Sequence, residues 1–282
     1  MRWDGGRRSG NIEDRRGISP VAGGIGIGGL LLAAVGYFVF GIDPSTTLSV
    51  VNGVNGGAEQ QEGARGTPAD RDAQFVDVVE TSTTDVWSQV FKASNRSYDP
   101  PAGVVIYDRA TGTGCGMGQS AMGPFYCPQD RKVYLDLSFW QELSGRFGAQ
   151  GDAARAYVIA HEIGHHVQNL TGQMDKAKNY AAKGVDSGSV RLELQADCYA
   201  GVWAARASDV SNGAVALDPK DVEDGLRAAS AVGDDTLQKQ SQGRVMPDAF
   251  THGTSEQRTR WFRAGVQNGD PASCDTFSAS RL

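Results

Sequence analysis

The chain has 282 residues, 40% of them apolar, and a net charge of −6. That is enough for one substantial domain with appendages. The acidic balance excludes a globally basic nucleic-acid binder, so no nucleic-acid partner is expected.

Residues 1–17, with Arg2, Arg7, Arg8, Arg15 and Arg16, read as a basic tail. Ile18 to Ile42 is an uncharged apolar run long enough to cross a bilayer as a helix. No Lys or Arg follows until Arg65. The positive-inside rule then puts the N-terminus in the cytoplasm and the remainder outside a bacterial cell membrane, with a single pass. A cleaved signal peptide is the competing reading; the length of the run and the lack of a small-x-small site oppose it.

Gly24, Gly26 and Gly29 spell GxGxxG, but inside the apolar run with no strand before them, which excludes a dinucleotide site. Gly24 and Gly28 form a GxxxG pair that can bring two such helices together as a homodimer; glycines merely tolerated in a lipid-facing helix are an equal alternative. Residues 43–71 are rich in Gly, Ser, Thr, Asn and Gln and read as a flexible linker, leaving 72–282 as the folded domain.

Within that domain, "DAQFVDVVETSTTDVWSQVF" places Phe75, Val78, Val79, Val86, Trp87, Val90 and Phe91 at helical spacing, and Pro100 and Pro101 close the region. "GVVIYD" reads as a strand, "TGTGCGMGQSAMGPFYCP" as a glycine-rich loop, and the alternation from Val133 to Leu137 as a second strand, open to edge pairing with an extended substrate. Helices dominate afterwards, so the class is α+β. Cys115, Cys127, Cys198 and Cys274 form an even set without a CxxC pair, which speaks against a zinc ribbon. Export permits disulfides. Of three connectivities, the short Cys115–Cys127 loop is favoured, leaving Cys198–Cys274; four reduced, buried thiols are the alternative.

Three of the four histidines fall in "AYVIAHEIGHHVQNLTG". Asp152 and Gly172 are plausible caps, and Tyr157, Ile159, Ile163, Val167 and Leu170 supply an apolar face, so the stretch reads as a helix. His161 and His165 of the HExxH pattern then lie one turn apart on one face and can reach a single Zn²⁺. Glu162 is rotated off that line, close enough to act on water but not as a ligand. Gly164 leaves room for close packing, and His166 points elsewhere. A third histidine six residues beyond His165 would mark the extended pattern HExxHxxGxxH, but Gln168 and Thr171 occupy its two positions and exclude it. "RLELQADCYAGVWAAR" offers instead Glu193 as third ligand, with Asp197 one turn on to accept the far N–H of a ligating histidine. His252, in "FTHGTSEQRTRWF", is either a donor to a developing oxyanion or an ordinary helix-entry residue before a Thr254 or Ser255 cap.

The combination "GPFYCPQD", "KVYLDLSFW", "AYVIAHEIGHHVQ", "ELQADCYAGVW", "QSQGRVMPDAFTHGTSEQR" and "CDTF", with the opening "MRWDGGRRSGNIEDRRG", resembles the bacterial neutral zinc metallopeptidase family. The resemblance implies a zincin-like domain, membrane anchoring, and zinc on His161, His165 and Glu193 with Glu162 beside it. The resulting expectation is a membrane-anchored zinc peptidase that hydrolyses a peptide or protein substrate. The alternatives are an inactive zincin-like envelope scaffold and a zinc amidase acting on non-protein amides such as cell-wall cross-links.

Overall fold

The computed structural model describes residues 1–18, 62–66, 69–146 and 148–282. The helix expected from Asp72 is α1, Arg71–Ala93, started by the Asp70 side chain, which accepts from the Ala73 amide. Its apolar stripe is buried as the periodicity requires, but so are Asp77, Glu80 and Thr81. These polar groups receive the N-terminal segment. The Ser9 and Gly10 amides donate to Asp77 Oδ1 at 3.0 and 3.2 Å, and Asn11 Nδ2 donates to Glu80 Oε1 at 3.2 Å. Trp3 packs edge-on against Phe75, and its indole N–H donates to Asp152.

The segment continues into β1 (Ile12–Asp14), followed in chain order by β2 (Ala64–Arg65), β3 (Gly103–Tyr107), β4 (Ala110–Thr113), β5 (Gly116–Gln119), β6 (Phe125–Cys127) and β7 (Lys132–Asp136). A five-stranded mixed sheet runs β2-β1-β3-β7-β6, with β1, β3 and β7 parallel and the two edge strands antiparallel. Alternation splits its side chains between two cores. Val104, Ile106, Val133 and Leu135 face the helices, while Val105, Tyr107, Cys127 and Tyr134 form a small core on the other side. The glycine-rich stretch expected as a loop supplies the β4–β5 hairpin and β6, and Cys115–Cys127 closes it. Gly118 shows why glycine is used there: a Cβ would approach the Phe125 ring to 2.6 Å. Because β7 is paired with β3 on one side and with β6 over Lys132–Tyr134 on the other, it is not the edge expected from its sequence.

After β7 come α2 (Phe139–Gly145), α3 (Asp152–Leu170), α4 (Gln173–Ala177), α5 (Gly188–Val210), α6 (Pro219–Ala231), α7 (Asp234–Gln242) and α8 (Ser255–Asn268). α5 packs against both α3 and α8. The Cys198–Cys274 disulfide ties the segment after α8 back to α5.

The membrane reading is corrected. Among the described residues no helix is long and apolar enough to cross a membrane. Residues 19–42 of the apolar run, with Gly24 and Gly28, lie outside the described residues, but the flanks of the 19–61 segment do not. Those flanks are neighbours: Glu13 pairs with Arg65 and Asp14 with Ala64. A single crossing would put them on opposite sides of a bilayer. The single-pass anchor, with a cytoplasmic tail and an extracytoplasmic remainder, therefore does not describe this chain. Residues 1–17 belong to the same body as the domain that follows, and β2 takes up part of the expected linker.

Glu13 anchors this arrangement. Burial raises its pKa, but hydrogen bonds from Arg15 Nε (2.7 Å), Lys132 Nζ (2.8 Å) and the Gly63 amide (3.1 Å) outweigh burial and hold it at about 2 instead of 4.5. A carboxylate depressed on folding stabilises fully above its unfolded pKa and loses that contribution as pH falls through the folded value. Glu13→Gln should lower the unfolding temperature at neutral pH, and the gap from wild type should narrow between pH 4.5 and 2. A gap independent of pH would show that the carboxylate is not the stabilising group.

Candidate metal centre

α3 begins one residue inside its Gly151 cap, so Asp152 sits in the first turn and not at the cap. The helix ends at Leu170 with Thr171 as its C-terminal cap, and Gly172 follows in the left-handed region at φ 72°. α5 starts at the Ser187 cap, whose side chain accepts from the Val190 amide. The two helices approach closely where Gly164 faces Ala196; a Cβ on Gly164 would come within 3.2 Å of the Ala196 backbone. This contact lets one carboxylate from α5 reach two imidazoles on α3.

His161 Nε2 lies 3.2 Å from Glu193 Oε2, and His165 Nε2 lies 3.4 Å from Glu193 Oε1. One ligand atom from each of the three residues falls within 4.8 Å of the others, a grouping able to hold a metal ion. The donor chemistry fits. Asp197 Oδ1 is 2.9 Å from His161 Nδ1, and Gln168 Oε1 is 2.8 Å from His165 Nδ1. Each Nδ1–H donates to an oxygen, so Nε2 is the nitrogen that faces Glu193 and would take the metal in place of a proton. Two imidazole nitrogens and one carboxylate form a set suited to zinc with a position left open. Electrostatics agree. Burial lowers the pKa of His161, but Asp197 and Glu193 overcome it and raise it to about 10, so these two carboxylates favour positive charge at the imidazole. Glu193 is held well below its usual range: burial opposes ionisation, and His165, His161 and His252 outweigh it.

Asp197 is wholly buried and accepts four hydrogen bonds. Besides His161, the Tyr157 hydroxyl donates to Oδ1 at 2.5 Å, and Arg258 donates Nη2 to Oδ1 and Nε to Oδ2, each at 2.9 Å. Arg258 also lies 3.8 Å from Glu193. Sequence reasoning took Tyr157 as an apolar position and passed over Arg258. The signal for Arg258 was present: it shares the buried face of α8 with Trp261, Phe262 and Gly265, where a lone arginine requires a partner.

Glu162 is 7% exposed, and burial raises its pKa. Among the described residues none donates a hydrogen bond to its carboxylate. His166 is fully buried and points away from the trio. Its Nε2–H donates to the Asp99 carbonyl at 2.7 Å, and its Nδ1 accepts from the Tyr126 hydroxyl at 3.0 Å, so both nitrogens are engaged.

His252 is outside the ligand trio but near enough for its charge and that of Glu193 to act on each other. Asp234, another residue missed from sequence, places it. Asp234 Oδ2 accepts the amides of Thr251, His252 and Gly253, and Oδ1 lies 3.2 Å from His252 Nδ1. Burial lowers the pKa of His252, and Asp234 and Glu193 raise it further than burial lowers it. Thr254 caps α8 in a reciprocal pair with Gln257, so the helix-entry function expected around His252 falls to Thr254.

The family model described as "Putative neutral zinc metallopeptidase" matches residues 1–277. The protein named "Uncharacterized protein YpfJ" from Escherichia coli (strain K12) is 47% identical over 99% of this chain and all of its own length. "Uncharacterized protein Rv2575" from Mycobacterium tuberculosis (strain ATCC 25618 / H37Rv) is 43% identical over 86% of each. No solved structure matches the chain.

The two carboxylates of α5 can be told apart. Glu193→Gln should abolish tight zinc binding. Asp197→Asn keeps an acceptor for His161, so zinc affinity should fall by roughly ten- to a hundredfold. It also strips Arg258 of its countercharge, which should cost about 3–5 kcal/mol of stability. Chelator competition and unfolding in chelator measure the two effects. Greater zinc loss in Asp197→Asn would make Asp197 the ligand.

Proposed function

The chain belongs to the neutral zinc metallopeptidase family, and from that premise we propose that it hydrolyses peptide bonds, with His161, His165 and Glu193 holding zinc and Glu162 carrying the proton. Bound zinc supplies Lewis acidity, polarising a carbonyl and making water a competent nucleophile at neutral pH. Glu162 accepts the proton that water loses as its oxygen adds to the carbonyl carbon. It then delivers that proton to the amine nitrogen as the C–N bond breaks. One water is consumed, and no covalent bond to the enzyme forms. His252, aimed by Asp234, donates a hydrogen bond to the oxygen on which negative charge develops.

The observation that carries this reading is Glu162 itself: a largely buried carboxylate next to His161 in the chain, accepting no hydrogen bond from the described residues. Desolvating such a group is costly, and a scaffold would have no use for it. The same chemistry would serve a non-protein amide, so the decisive assay offers zinc-loaded protein both a peptide library and cell-wall fragments. Cleavage of peptides supports the proposal, and cleavage of cell-wall fragments alone replaces it.

Glu162→Gln should keep zinc and the fold while hydrolysis falls by roughly a hundred- to ten-thousandfold. Substantial turnover in that variant would remove Glu162 from the mechanism. His252→Ala should leave zinc content unchanged and lower kcat by roughly a hundred- to a thousandfold with little change in KM. Zinc loss would assign it a supporting place at the metal, and unchanged kinetics would return it to the surface of the fold.

A further inference from the structure

The two α3 ligands are held from behind by different chemistry. Behind His161 stands a buried carboxylate neutralised by Arg258; behind His165 stands a chain of neutral amides. Gln168 and Gln195 are 0% and 3% exposed, one on α3 and one on α5. Gln195 Nε2 donates to the Cys274 carbonyl at 3.0 Å. Gln168 Nε2 donates to Gln195 Oε1 at 3.1 Å and to the Leu192 carbonyl at 2.7 Å. Gln168 Oε1 is then left facing His165 Nδ1 at 2.8 Å.

The chain has one permitted direction. A backbone carbonyl only accepts, so the Leu192 and Cys274 carbonyls each require an amide NH₂. That requirement sets the orientation of both glutamines and turns the Gln168 oxygen toward the imidazole. An oxygen there requires a proton on Nδ1, so in the neutral imidazole the lone pair falls on Nε2. The last anchor, Cys274, is fixed to Cys198 on α5 by the disulfide.

We propose that Gln168 is a positioning residue that sets the tautomer and ring orientation of His165 for the metal, and that Gln195 and the disulfide-pinned Cys274 carbonyl hold Gln168 in that orientation. The inference rests on the zinc reading above. It joins the segment after α8 to the metal centre through three hydrogen bonds, with no added charge. Glu193 and Glu162 already bring negative charge to the pocket, and a second carboxylate behind His165 would raise its burden of buried anions.

The test compares Gln168→Met and Gln195→Met with wild type. Met matches the length of the side chain and removes its hydrogen bonds. Zinc affinity is read by chelator competition, and unfolding of the metal-free proteins separates loss of fold from loss of orientation. Gln168→Met should bind zinc roughly ten- to a hundredfold more weakly. Gln195→Met should lose less, because Gln168 keeps the Leu192 carbonyl, and it serves if Gln168→Met does not fold. In zinc-loaded wild type, proton NMR should show exchange-protected Nδ1–H resonances from both His161 and His165. Gln168→Met should lose the His165 resonance and keep that of His161, and Gln195→Met should shift only the His165 resonance. Unchanged affinity with both resonances intact in folded Gln168→Met, or in Gln195→Met where Gln168→Met fails to fold, would overturn the inference alone. Failure of wild type to bind zinc would overturn the functional reading with it.

Discussion

A carboxylate without solvent has to be surrounded by donors, and Asp197 is the point on which the candidate metal centre depends. Its donors come from two helices, Tyr157 and His161 from α3 and Arg258 from α8, and they converge on a third, α5. These donors fix α3 and α8 relative to α5, so the orientation of the His161 imidazole and the packing of the bundle rest on the same interactions. The pair with Arg258 has to be complete to be tolerated, because a buried ion that loses its partner is far more costly than an apolar pair in the same place.

The same rule governs the far side of the sheet. Glu13 and Arg15 are both almost wholly buried in β1 and just beyond it, and they satisfy each other, Lys132, and the Thr111 hydroxyl and Gly112 carbonyl of β4. Arg15 thereby connects the central sheet to the hairpin that covers its outer face. The polar side chains of α1 extend the pattern, with Asp77 and Glu80 capping amides and an amide side chain of the N-terminal segment.

How far sequence could reach depended on the range of each interaction. Interactions within a helical turn were readable: the His161–His165 spacing, the Glu193–Asp197 spacing, and the stripe of α1 from Phe75 to Phe91. The strands β3, from its short apolar run, and β7, from its alternation, were readable for the same reason. Residues whose partners lie far along the chain were not. Arg15 and Arg16 carry the charge that, beside an apolar run, suggests a membrane flank; nothing local reveals that Arg15 meets Thr111 or that Glu13 meets Lys132. The β4–β5 hairpin lacked a β-branched alternation because its glycines make room for rings such as that of Phe125, and its closure came from a disulfide and a guanidinium. Gln168 entered the sequence argument only as the residue that broke the pattern HExxHxxGxxH, whereas in the fold it stands behind His165.

The pairing of β1 with β2 also changes what kind of object the first eighteen residues are. They are a strand-bearing arm docked into the domain, joined to it through the 19–61 segment. Docking is therefore an intramolecular association whose effective concentration is set by the length of that connection, and lengthening the connection weakens it only slowly. A cut anywhere between 19 and 61 would leave both of its flanks paired in one sheet. It would give a two-piece protein, the arm retained by the sheet, by the Asp77 and Glu80 contacts and by Trp3, as a complementing fragment is retained by its parent fold.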